Sequence, residues 1–123
     1  MKMNRLANCK NRFQGRAKKV LCVCSAGLLR SPTAAVVLSQ EPYNFNTRAA
    51  GLTPEYALIP VDEVLIEWAD EIVVMEKWMA EEIEAYEKPI IVLDVPDEFP
   101  YRDPRLVELI KKNYDEAARE VSA

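Results

Sequence analysis

Short unbroken apolar runs alternate with stretches whose apolar residues recur every three or four positions, a pattern that predicts strands and helices in turn. Val20-Leu21-Cys22-Val23-Cys24 stands behind Lys18-Lys19 as a continuous apolar run, as expected of a strand buried on both faces. Ser31-Pro32 reads as a helix start, with Ser as N-cap and Pro at the first helical position. Thr33 to Leu38 carry that helix toward Pro42. Asn44 to Ala50 predicts a second strand ending at Gly51, followed by a loop with Pro54. Val61, Val64, Leu65 and Trp68 then fall at helical spacing behind Pro60, with Asp62 and Glu63 in the first turn. Glu71 to Met75 reads as a third strand, Lys77 to Tyr86 as an acidic helix, and Pro89 to Leu93 as a fourth strand. A Pro- and Asp-rich loop spans 94–104. Asp103-Pro104 repeats the cap-then-proline signal, and Leu106, Leu109, Ile110, Asn113 and Ala117 mark the inner face of a last helix.

Strands alternating with helices imply right-handed crossovers, hence an α/β domain with a four-stranded parallel sheet and helices on both faces. With 123 residues there is one core and no second domain. Half the residues are hydrophobic and 29% are charged, an ordinary globular composition. No apolar run approaches the roughly 18–20 residues that span a bilayer, so no membrane partner is expected. No apolar stretch follows the basic N-terminus as a secretory signal requires. Three cysteines make a poor disulfide framework, and a cytoplasmic location is the expectation. A monomer is expected.

Charge divides the chain unevenly. Residues 1–19 hold seven Lys or Arg and no acid, and the remainder carries a balance of −11. Residues 1–17 therefore read as a basic extension ahead of a domain at 18–123. A solvated, partly disordered arm is the main expectation, with nucleic-acid binding as the lesser alternative. The chain has no histidine. That excludes Ser-His and Cys-His pairs and most zinc chemistry. No metal and no cofactor is expected.

The candidate chemistry lies in Cys24-Ser25-Ala26-Gly27-Leu28-Leu29-Arg30-Ser31-Pro32. A loop between a strand and a helix can turn successive backbone N–H groups inward as an anion nest. The helix N-terminus adds positive potential at the same place. Ser25, Ala26 and Gly27 are small enough for close approach, and Gly27 accepts a positive φ. Ser25 to Leu29 would contribute the nest, and Arg30 would grip two phosphate oxygens with its planar fork. The same field favours Cys24 as a thiolate, an activated nucleophile, and Ser31 would donate a hydrogen bond to the sulfur. Cys22 reads as core, expected on the opposite face of the strand from Cys24. Cys9 lies in the arm and is assigned no role.

A phosphocysteine route also needs a proton donor for the leaving oxygen. The loop Asp94-Val95-Pro96-Asp97-Glu98-Phe99-Pro100-Tyr101-Arg102-Asp103-Pro104 ends at the same edge of the sheet as Cys24. Asp103 reads best as a helix cap and Asp94 as a turn residue, which leaves Asp97 as the preferred acid with the other two as alternatives. Phe99, Tyr101 and Trp78 are candidates either for packing or for a wall against an aromatic leaving group.

The run from Val23 to Ala34 resembles the V-C-x-x-N-x-x-R-S-P-x-A loop of the low-molecular-weight protein tyrosine phosphatases. The likeness continues in Arg48-Ala49-Ala50-Gly51, in Trp68 to Glu76 and in residues 93–106, which follow the L-D-x-P-D-x-x-x-x-x-D-P-x-L loop of the compact bacterial and phage branch. It covers about residues 19–115. The resemblance implies a flavodoxin-like fold and hydrolysis of a phosphorylated protein or small phosphomonoester. Cys24 would be the nucleophile, Arg30 the clamp, Ser31 the thiolate stabiliser and Asp97 the acid, then base. Two positions depart from the pattern: Gly27 stands where the family has Asn, and Asp97-Glu98-Phe99 where it often has Asp-Pro-Tyr. Three other readings stay open. An arsenate reductase of the same fold needs later cysteines, which this chain lacks. A phosphocarrier of sugar uptake typically lacks the Arg. A non-catalytic phosphate- or phosphopeptide-binding module is kept open by Gly27.

Overall fold

The computed structural model describes residues 17–25, 30–52, 60–95 and 103–122. Strands and helices alternate as β1 (Lys19–Cys24), α1 (Arg30–Ser39), β2 (Asn46–Gly51), α2 (Glu63–Trp68), β3 (Glu71–Val74), α3 (Lys77–Ile83), β4 (Ile90–Val92) and α4 (Pro104–Ser122). All pairings are parallel and the strand order is β2-β1-β3-β4. β1 is central, with Cys24 level with Gly51 of β2 and Val23 level with Val74 of β3. Val20 to Val23 are fully buried, as a strand covered on both faces must be.

The two faces can be told apart on β2. The Thr47 hydroxyl donates to the Ala35 carbonyl of α1 at 2.7 Å. Its neighbour Arg48 turns to the other face and lies 4.8 Å from the Trp68 ring of α2. α4 packs beside α1, and α3 packs on β3 and β4. This is the flavodoxin-like α/β architecture expected from the alternation. Among the described residues no helix is long and apolar enough to cross a membrane. Of the basic arm expected at residues 1–17, residues 1–16 lie outside the described residues.

Several boundaries differ from the sequence expectation. β2 starts at Asn46 rather than Asn44, whose φ of 53° is left-handed and incompatible with a strand. α3 ends at Ile83 and tightens into a 3₁₀ turn over Glu84–Tyr86, closed by Glu87 at φ 58°. β3 and β4 are each shorter than expected. In α2 the inner residues are Leu65 and Ile66, while Val64 is 51% exposed. In α4 Leu106 and Ile110 are fully buried as expected, and Leu109, Asn113 and Ala117 are half-buried. Tyr114 was not expected inside and is buried.

Cys22 is core, but on the same face as Cys24. Side chains two apart on a strand share a face. Cys22 lies near Tyr114 of α4 and Cys24 beside Ser31 of α1, and these two helices pack together.

The end of the sheet away from Cys24 is tied by a buried carboxylate. Glu71 accepts from Lys18 Nζ at 2.7 Å and from the Tyr114 hydroxyl at 2.9 Å. Burial, then the Glu71 charge, pushes the Tyr114 phenol well above its ordinary range, so the hydroxyl keeps its proton and donates. Tyr114→Phe is expected to cost about 1–3 kcal/mol in urea unfolding, because Glu71 stays buried with one partner fewer. An unchanged midpoint would mean that Lys18 alone satisfies the carboxylate.

Candidate active site

β1 and β3 are neighbours although β2 separates them in sequence. The chain leaves β1 toward one side of the sheet and β3 toward the other, and ligands bind at such a switch point, beyond the carboxyl ends of the strands. Cys24 is the last residue of β1, 3% exposed. Its Sγ lies 3.1 Å from the Ser31 Oγ. The Ser31 hydroxyl also faces the Ala50 carbonyl at 3.3 Å.

Those two contacts give the hydroxyl two settings. When Cys24 is a thiol, its S–H donates to Oγ and the Ser31 proton goes to Ala50. When Cys24 is a thiolate, the Ser31 proton turns to the sulfur. Ser31 thereby holds either form. It does not cap the helix as expected. α1 starts at Arg30, two residues before the expected Pro32, and the hydroxyl is engaged by Cys24 of β1 and Ala50 of β2.

Arg30 opens α1 and is only 2% exposed. Its Nη1 donates to the Glu76 Oε2 at 2.7 Å and to the Val95 carbonyl at 2.9 Å. Glu76 stands directly beyond β3, and Val95 beyond β4, where its own N–H donates to the Met75 carbonyl at 2.9 Å. One guanidinium edge is thus fixed by the two strands that follow β1 across the sheet. Glu76 keeps 39% of its side chain exposed while Arg30 is buried, so the pair runs from the interior toward solvent.

Sequence reasoning assigned no role to Glu76. Its signal is a carboxylate directly after a buried strand, at the end of the sheet where ligands bind, but that signal needs the knowledge that β3 lies beside β1. The Val95 carbonyl has no side-chain signature at all.

Of the expected residues, Cys24, Ser31 and Arg30 are brought together, and Ser25 follows half-buried. Ala26, Gly27, Leu28 and Leu29 lie outside the described residues, as do Asp97, Phe99 and Tyr101. The two alternative acids are described. Asp94 is exposed at φ 56°, two residues past the end of β4. Asp103 caps α4, accepting from the Arg105 N–H at 2.8 Å and from its guanidinium at 2.9 Å. Those hydrogen bonds hold its carboxyl below the usual range, which unsuits it to donate a proton near neutral pH. Trp78, the third aromatic of that group, is 43% exposed.

No family model matches the chain, and no curated protein matches it. Solved structures do. The tyrosine phosphatase Wzb from Escherichia coli K30, determined with phosphate, is 16% identical with a TM-score of 0.64, over 85% of this chain and 98% of that one. Vibrio vulnificus Wzb with benzylphosphonate is 22% identical with a TM-score of 0.61, over 84% and 95%. The YwlE arginine phosphatase from Geobacillus stearothermophilus is 19% identical with a TM-score of 0.57, over 84% and 94%. The chain therefore has the fold shared by these tyrosine and arginine phosphatases, the one that its resemblance to the low-molecular-weight family implied.

Proposed function

We propose that the protein is a phosphomonoester hydrolase acting through a phosphocysteine intermediate, with phosphotyrosine-like esters as its substrate class. The observation that carries this reading is the meeting of Cys24 Sγ, the Ser31 hydroxyl and a buried, oriented Arg30 at the carboxyl end of the central strand. A dianionic phosphoryl group needs positive charge, N–H donors and a nucleophile that requires no histidine, and this arrangement supplies the first and the last.

In the first step Cys24 Sγ attacks phosphorus and the P–O ester bond breaks. Asp97 gives its proton to the departing oxygen, releasing the alcohol or phenol. In the second, water attacks phosphorus, Asp97 takes its proton, and the S–P bond breaks to release inorganic phosphate and the thiolate. Arg30 holds two equatorial oxygens through both steps, where charge is spread over the phosphoryl group. Val95 supports Asp97 as the acid: this buried residue, two before Asp97, is tied to both Arg30 and Met75, so the loop starts at the site. An aromatic ester is preferred because the Vibrio protein of the same fold holds benzylphosphonate.

The test is hydrolysis of p-nitrophenyl phosphate at mildly acidic pH beside a poor-leaving-group alkyl phosphate. The wild type is expected to cleave both. Asp97→Ala should lower turnover by about 10²–10⁴ on the alkyl ester and far less on the nitrophenyl ester, which leaves without a proton. Equal losses on both would remove Asp97 from the acid role. No turnover by the folded wild type would replace the reading with a phosphate-binding module.

A further inference from the structure

The described residues leave few large apolar side chains in solvent, and one of them, Trp78, lies in the first turn of α3, just past the carboxyl end of β3. It is two residues past Glu76, the carboxylate 2.7 Å from the Arg30 Nη1. Two residues of chain span at most about 7 Å, so the Trp78 backbone lies within that distance of the Glu76 backbone, at the end of the sheet that also carries Cys24 and Arg30. The helix behind it is anchored by Met79 and Ile83, both buried, which turns Trp78 outward together with Glu81 and Glu82, exposed and one helical turn further on. Tyr86 is also 45% exposed but lies in the 3₁₀ turn at the far end of α3, away from the site.

Resting on the phosphatase reading, we propose that Trp78, with Glu81 and Glu82, is a specificity surface for a phosphorylated peptide carrying Lys or Arg next to its phosphorylated residue. A cation over the indole face is attracted by the ring, most strongly for tryptophan. The two carboxylates add attraction of the same sign. The balance of −11 beyond residue 19 works against an acidic peptide approaching this body. A substrate therefore brings its negative charge to the Arg30 cradle and positive charge to the rim beside it.

The test titrates the full chain carrying Cys24→Ser, which removes turnover, with two phosphotyrosine peptides that differ only in Lys or Glu on both sides of the phosphotyrosine. The Lys peptide is expected to bind about fivefold to tenfold tighter at low salt, the sum of one cation–π contact and exposed ion pairs. Adding Trp78→Ala should reduce that ratio to about twofold or less, and Glu81→Gln with Glu82→Gln should reduce it further. Raising the salt should weaken the preference. A ratio near one in the parent, or one that Trp78→Ala leaves unchanged, overturns the proposal. So does failure of both peptides to bind. In that case hydrolysis of p-nitrophenyl phosphate by the wild type shows whether the phosphatase reading itself stands.

Discussion

Cys24→Ser is expected to abolish p-nitrophenyl phosphate hydrolysis, with a loss of at least about 10³-fold, while the fold and phosphate binding remain. The substitution exchanges sulfur for oxygen in a buried position that already neighbours the Ser31 hydroxyl at 3.1 Å, so packing changes little. What changes is the nucleophile. Sulfur is the stronger nucleophile, and a serine hydroxyl is a weak one without a base beside it. Serine hydrolases overcome this with an adjacent base, usually histidine, and this chain has none. The Ser31 hydroxyl is itself a weak acid and cannot serve. The measurement is steady-state hydrolysis beside far-UV circular dichroism and the urea midpoint. Retention of a tenth of the activity by a folded variant would show that Cys24 does not form the intermediate.

Three of the four strands were legible because they are short apolar runs separated by helical stretches. Val20 to Val23, Ile72 to Val74 and Ile91 are buried, and a parallel sheet between helices covers such runs on both faces. The ends of the elements were less legible. Asn44 and Glu87 take left-handed φ values that a glycine would have announced and these residues do not. Ser31 followed by Pro32 has the local form of a cap, and a tertiary contact with Cys24 and Ala50 overrides it.

At the site the same division holds. Cys24, Ser31 and Arg30 are close in sequence and share one motif, so they could be read together. Glu76 and Val95 reach Arg30 from 46 and 65 residues away, and nothing local in the sequence joins them. Tyr114 was missed for a related reason: its hydroxyl finds its acceptor in the carboxylate of Glu71, 43 residues earlier, and its ring packs on Tyr43 and Phe45.

Glu76 carries the second large effect, and two influences oppose one another there. Its carboxylate neutralises Arg30 and so weakens attraction for a dianion. It also fixes the guanidinium edge, which decides whether the remaining donors meet the phosphoryl oxygens. Glu76→Gln removes the charge but keeps an oxygen that can accept from Nη1, so kcat should stay within about tenfold and inorganic phosphate should inhibit at equal or lower concentration. Glu76→Ala removes both, while the contact with the Val95 carbonyl remains. A displaced clamp costs on the order of 10²-fold in rate, because the oxygens it holds move off the line of attack. If geometry wins, the Ala variant loses about 10²-fold in kcat and the Gln variant recovers most of it. If charge wins, both variants bind phosphate more tightly and turn over alike. Parallel kcat, KM and phosphate-inhibition measurements on the two separate these outcomes. Equal kcat in Ala and Gln would show that the clamp is held without the Glu76 side chain. The expectation is the first outcome, since Arg30 is 2% exposed and a buried guanidinium that loses an oriented partner is free to turn toward others around it.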